Sequence, residues 1–179
     1  MFALLAKPLG GTRPLAQTPL LYRLWSVVVS SDIKSWSLSN TPAWDTACIG
    51  SSALTAASHR QWMSALTHVT DNEIISLQWD IDKYFDSIFL EQVYDACVRH
   101  QYPMKHAVLA LGMHGAPRVL QSSSVLSPIM VPGRSILQGC MQSMDFAKLI
   151  MHKPMERVHK DPEASKDKST HVVNSTFVD

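Results

Sequence analysis

Apolar residues recur at helical spacing near the start of the chain. Thr18 followed by Pro19 reads as an N-cap and a first helical residue, with Leu21, Leu24, Trp25 and Val28 on one face. A polar stretch from Ser30 to Asp45 reads as irregular. A second helix, roughly Ser52 to Thr67, places Leu54, Ala57, Gln61, Trp62 and Ala65 along a face. The period then changes. Ile74–Ile81 is a short, mostly apolar run that suits a buried strand ending at an acidic residue. Asp86 or Ser87 can cap the helix that follows, whose inward face is Leu90, Val93, Tyr94, Cys97 and Val98. Arg99 and His100 suit its last turn, and Pro103 stops it.

Further on, Arg118–Leu120 and Pro128–Val131 can pair as a hairpin through the serine-rich segment Gln121–Ser124, and Pro132-Gly133 turns the chain again. After Gln138-Gly139 a helix is expected with Phe146, Leu149 and Ile150 inward and a break or kink at Pro154. Lys160–Ser169 reads as a charged loop, and Thr170–Asp179 as two short strands around a turn at Val173-Asn174. At the other end, Lys7–Pro14 carries two glycines and two prolines and reads as a turn between short extended segments. Helices alternating with short strands indicate an α+β or α/β domain.

Composition narrows the classes. The 179 residues are 46% hydrophobic and 17% charged, a globular balance that argues against wholesale disorder. The net charge of +1 permits a nucleic-acid partner without advertising one, because phosphate neutralisation usually calls for a more basic surface. Cys48, Cys97 and Cys140 are far apart, so neither a zinc knuckle nor a disulfide framework is expected. The apolar start Phe2–Ala6 is too short for a signal peptide, and no run is long enough to span a bilayer. A soluble intracellular protein is the default expectation, with no membrane partner.

Candidate chemistry centres on Trp79-Asp80-Ile81-Asp82-Lys83-Tyr84-Phe85-Asp86. This segment resembles motif A of reverse transcriptases, where an aspartate at a strand end is followed by an aromatic residue. Nucleotidyl transfer in that family uses Mg²⁺ or Mn²⁺, hard cations held by carboxylates and substrate phosphates. By resemblance Asp80 is the catalytic metal ligand, and the backbone of Ile81 is a second oxygen donor. Tyr84 and Phe85 are then expected near the sugar of the incoming nucleotide.

Two more matches follow in the family's order. Lys7 through Trp25, with Arg13-Pro14-Leu15-Ala16 at its centre, resembles the fingers motifs, in which a Lys and an Arg on a hairpin hold the triphosphate. Arg13 is the better candidate, since a planar fork suits phosphate oxygens, and Lys7 is second. Arg134–Ser143 resembles motif B and keeps Gln138, Gly139 and Cys140, a triplet that leans toward the non-LTR retrotransposon branch. Gln138 and Gly139 are thereby expected to approach the nucleotide or template base. Ser135 departs from the usual Gly, and Met141-Gln142 depart from the usual Pro-Leu.

Thr170–Phe177 stands in the place of motif C, whose usual form ends in Asp-Asp; here Val173 and Asn174 occupy those degenerate positions. Valine offers no side-chain ligand and asparagine only a neutral oxygen, so magnesium binding is expected to be impaired and polymerase activity absent or very small. The resemblance implies an α+β fold with right-hand polymerase fingers (1–70) and partial palm (71–179). A small antiparallel sheet would pack on helices, and the chain would stop before a thumb. It implies an RNA template, a DNA primer and dNTP as partners, and is compatible with a nuclear location. A non-catalytic RNA- or DNA-binding module derived from the same domain is the runner-up. A metal-dependent hydrolase using Asp80 and Asp86 ranks last.

Overall fold

The computed structural model describes residues 2–6, 8, 10–42, 44–48, 50–70 and 80–160. Among these lie seven helices and four strands, so the fold is mixed α+β. The expected strand Ile74–Ile81 falls mainly outside the described residues, and so do the loop beyond Lys160 and the pair of strands over 170–179.

Strands β1 (Phe2–Ala6) and β2 (Thr12–Ala16) form an antiparallel hairpin with Phe2 opposite Ala16 and Leu4 opposite Pro14. Gly10 and Gly11 sit at its tip with positive φ, a conformation other residues adopt only at a cost. β3 (Leu120–Ser122) and β4 (Val125–Leu126) make a second hairpin across Ser123-Ser124, and Arg118 bridges Met130 behind it. The sheet order is β2-β1-β3-β4. β1 and β3 run parallel, with Phe2 beside Leu120, so the sheet is mixed rather than antiparallel as expected. The reason is topological: β3 enters from α6 on the same side as the start of β1, and Phe2 donates its N–H to Val119 O at 2.8 Å.

Helix α1 (Leu20–Val28) begins one residue later than expected, with Pro19 as its N-cap. Its buried residues are Tyr22 and Ser26, while Leu21 and Val28 are 80% and 76% exposed. The expected inward face is therefore wrong except for Trp25, which packs against the cluster of Phe2, Tyr22, Leu137 and Cys140. The stretch expected to be irregular holds helix α2 (Ser30–Asn40). Tertiary contacts override its weak serine-rich propensity. Ile33 is buried, the Trp36 indole donates to His100 O at 3.1 Å, and Asp32 lies 3.0 Å from His106 Nε2.

Helix α3 (Ala53–Thr70) starts where Ser52 predicts: Ser52 Oγ accepts from Thr55 N at 3.0 Å. Its Leu54 and Trp62 are exposed, so the apolar face read from the sequence is not the buried one. α4 (Tyr84–Ser87) is a single turn, and α5 (Leu90–Arg99) follows with Phe89 at its N-cap and no side-chain cap. Asp86 and Ser87 do not cap α5 as expected, because both lie within α4. α6 (Met104–His114) was not anticipated. Its Ala107, Ala110 and His114 are buried. α7 (Ser143–Lys160) runs on through Pro154 without the expected break. Proline removes one backbone hydrogen bond, but burial of Phe146, Ala147 and Leu149 holds the preceding turns.

The described residues of 1–37 with 83–152 make one compact unit, and those of 38–82 with 153–179 a second. In the first, Val93, Cys97, Tyr102, Ala110 and Phe146 form the helical core, with the Tyr102 and Phe146 rings 5.7 Å apart. In the second, Trp44 and Ala56 are buried.

Candidate functional site

The turn between Asp80 and α4 starts the site. Asp80 and Ile81 are exposed and belong to the second unit, while the first resumes at Lys83. Lys83 has φ 50, a left-handed conformation that reverses the chain into α4. Tyr84 then turns inward: its hydroxyl donates to Ala147 O at 2.7 Å, and burial raises the phenol pKa above its ordinary range. Its hydroxyl is thus spent on anchoring α4 to α7. Phe85 is half-buried, with its ring edge-on to Tyr84 at 5.9 Å.

The Gln138-Gly139 segment is fastened to that turn. Ile136 N donates to Phe85 O at 3.0 Å, and Ser135 N to Ile88 O at 2.8 Å. Ser135 Oγ donates to Asp86 Oδ1 at 3.2 Å, which is the work the Asp86 carboxylate does instead of capping. Arg118 reinforces the joint: Nη2 donates to His114 O at 2.6 Å and to Ser135 O at 3.0 Å, and Nη1 to Ser135 Oγ at 3.3 Å. Burial lowers the Arg118 pKa, opposed by the nearby Asp86 charge.

His114 ties the same loop to α6. Its Nδ1 accepts from Leu137 N at 3.2 Å, so that nitrogen carries no proton. Burial, and then the Arg118 charge, push the imidazole down to about 3. Ser143 Oγ donates to Leu137 O at 2.6 Å and closes the loop onto the start of α7.

The fingers-like hairpin meets this loop directly: Ala16 N donates to Gln138 O at 3.3 Å. Gly139 has φ 93, and a Cβ built on it would meet Leu15 Cδ1 at 3.5 Å and Ala16 O at 4.0 Å. Those are ordinary contacts, so the backbone angle, rather than crowding, is what calls for glycine. Alternation along the hairpin sorts the motif residues by face. Ala3 and Leu15 share one row, on the side where Gly139 sits. Phe2, Leu4, Pro14 and Ala16 form the opposite row, and Gln138 lines a cleft on that side.

The first unit thus brings together the strand of Arg13 with Tyr84, Phe85, Gln138 and Gly139. Asp80 and Ile81 lie in the second unit. Lys7, Val173 and Asn174 are outside the described residues. Ser135 was visible in the sequence as a departure from glycine, but its bonds to Asp86 and Arg118 carried no periodic or spacing signal. A scan against protein-family models finds no match, and a search of curated proteins finds none.

Among the described residues no group of three or more His, Cys, Asp or Glu side chains could hold an ion. Among the described residues, no helix is long and apolar enough to cross a membrane.

Proposed function

We propose that this chain is the fingers-and-palm part of a reverse-transcriptase-like protein of a mobile element, engaging nucleic acid and nucleotide with nucleotidyl transfer lost. What supports the reading is one arrangement. Three segments singled out by motif resemblance, far apart in sequence, are joined by backbone hydrogen bonds: Ala16 to Gln138, and Ile136 to Phe85. Sequence order alone does not bring the motif A turn, the motif B loop and the fingers hairpin together; a nucleotide site requires it.

In this reading Arg13 and Lys7 contact phosphates, and Gly139 lets backbone approach a base or sugar. Template RNA, primer DNA and dNTP are the partners. Loss of catalysis follows from the donor set, because Asp80 faces the metal without its two acidic companions. Binding then outlasts chemistry.

Two measurements test this. Primer extension with Mg²⁺ or Mn²⁺ is expected to give no template-dependent product, and clear synthesis overturns the loss of activity. Single-stranded RNA or DNA is expected to bind in a salt-sensitive way, weakened by Lys7→Ala and Arg13→Ala. Binding indifferent to both salt and those substitutions overturns the nucleic-acid reading.

A further inference from the structure

A cleft of about 340 Å³ opens on the Phe2–Pro14 side of the hairpin, the face opposite Ala3 and Leu15. Phe2, Pro14, Met130 and Val131 give it apolar walls, while Asp86 and Gln138 bring polar groups to it. Its volume sits at the lower end for small-molecule sites and suits one nucleoside.

The polar groups select among ligands. Arg118 also lines the cleft, but both its Nη atoms are held by His114 O, Ser135 O and Ser135 Oγ, and its guanidinium lies 5.2 Å from the centre of the Phe2 ring. Its Nε has no hydrogen-bond partner among the described residues but is buried, so the guanidinium serves as a fixed wall. Asp86 is exposed, and among the described residues only its Oδ1 is engaged, by Ser135 Oγ. A carboxylate with an open oxygen repels anions and accepts N–H donors. Gln138 can both donate and accept. The occupant is then flat, neutral and apolar on its faces, with adjacent N–H donors on one edge. Among the nucleobases guanine has that edge, in its ring N–H and exocyclic amine, and it also offers an acceptor oxygen beside them.

We propose that this cleft holds an unpaired guanine base of a single strand, with its Watson–Crick edge on Asp86 and Gln138 and its ring between Pro14 and Val131. That the base belongs to a strand rests on the function proposed above; the cleft's preference for guanine does not.

Titration of the intact chain with guanosine, adenosine and uridine tests the preference, and two variants test the place. Val131→Trp fills the cleft from a side chain that is 77% exposed, so folding should survive it. Asp86→Asn keeps the acceptor for Ser135 and removes the charge. Guanosine is expected to bind roughly tenfold tighter than the other nucleosides, with that margin lost in both variants. Equal binding of the three nucleosides, or wild-type guanosine binding by both variants, overturns the proposal. A single-stranded oligonucleotide with one guanine is expected to bind more tightly than the same strand abasic at that position. Guanosine binding without that difference also overturns it. If guanosine fails while strands still bind in a salt-sensitive way, the cleft proposal falls and the nucleic-acid function stands.

Discussion

The Tyr22 hydroxyl lies 3.1 Å from Cys140 Sγ, a buried contact that joins α1 to the loop after Gln138-Gly139 across 118 positions of sequence. Burial, and then the bond to Cys140, raise the Tyr22 pKa far above its usual range, so the phenol stays neutral. Truncating one partner leaves the other's polar atom buried without its mate. Tyr22→Phe and Cys140→Ala are each expected to cost about 1 kcal/mol. The double variant should cost less than the sum by about 0.5–1.5 kcal/mol. Urea unfolding of the four proteins measures it, and strict additivity would show the contact to be idle.

His114 makes stability depend on pH. Its folded pKa, about 3, lies below the ordinary 6.5, so the unfolded chain binds the proton more readily. The stabilisation is complete above pH 6.5 and is lost as pH falls toward 3. By pH ~5 about 2 kcal/mol should be gone. His114→Leu should be less stable at neutral pH, since Leu137 N–H loses its acceptor, yet flatter over the acid range. Equal slopes in the two proteins would count against this assignment.

Ser135 has φ 95, in the region that favours glycine, and yet its hydroxyl contacts both Asp86 and Arg118. Strain there costs about 1–3 kcal/mol and the hydroxyl bonds offset it. Ser135→Gly removes both and should stay within about 1 kcal/mol of the parent. Ser135→Ala keeps the strain and loses the bonds, so it should be the less stable of the two by about 1 kcal/mol. Reversal of that order in thermal unfolding would mean the strain is not carried there.

Two glycines should respond with opposite signs. Gly139→Ala meets φ 93 and is expected to cost about 1–2 kcal/mol. Gly112 lies inside α6 with nothing within 4 Å of a built Cβ. Gly112→Ala should stabilise by about 0.5–1 kcal/mol. Chemical denaturation of both variants decides.

On the proposed function, acids at positions 173 and 174 should strengthen metal binding. Val173→Asp with Asn174→Asp is expected to tighten Mn²⁺ binding on the order of tenfold or more, read by electron paramagnetic resonance titration. No change would separate these positions from the metal.

Much of the first unit was legible. The apolar spacing through Val93 and Cys97 marked α5, although Tyr94 and Val98 of that face are exposed, and Phe146 and Leu149 marked α7; of the expected pairing of Arg118–Leu120 with Pro128–Val131 the bridge between Arg118 and Met130 is present. What failed were patterns that depend on partners distant in sequence. α2 is serine-rich with little apolar periodicity, and it is held by contacts to His100, Tyr102 and His106 that local propensity cannot register. α1 presents Tyr22 and Ser26 inward, where the Tyr22 hydroxyl meets Cys140, and its more hydrophobic positions face out. At the site, the glycine requirement at Gly139 and the place of Gln138 were readable as a motif. The Asp86–Ser135–Arg118 joint was not, because it spans three segments and has no local signature.

The parallel pairing of β1 with β3 sets an order of events. Phe2 must wait for Leu120 to be synthesised before that edge of the hairpin has a neighbour, and closing so long a loop is slow. Until then β1 shows an unpaired row of backbone donors and acceptors, open to another copy of itself.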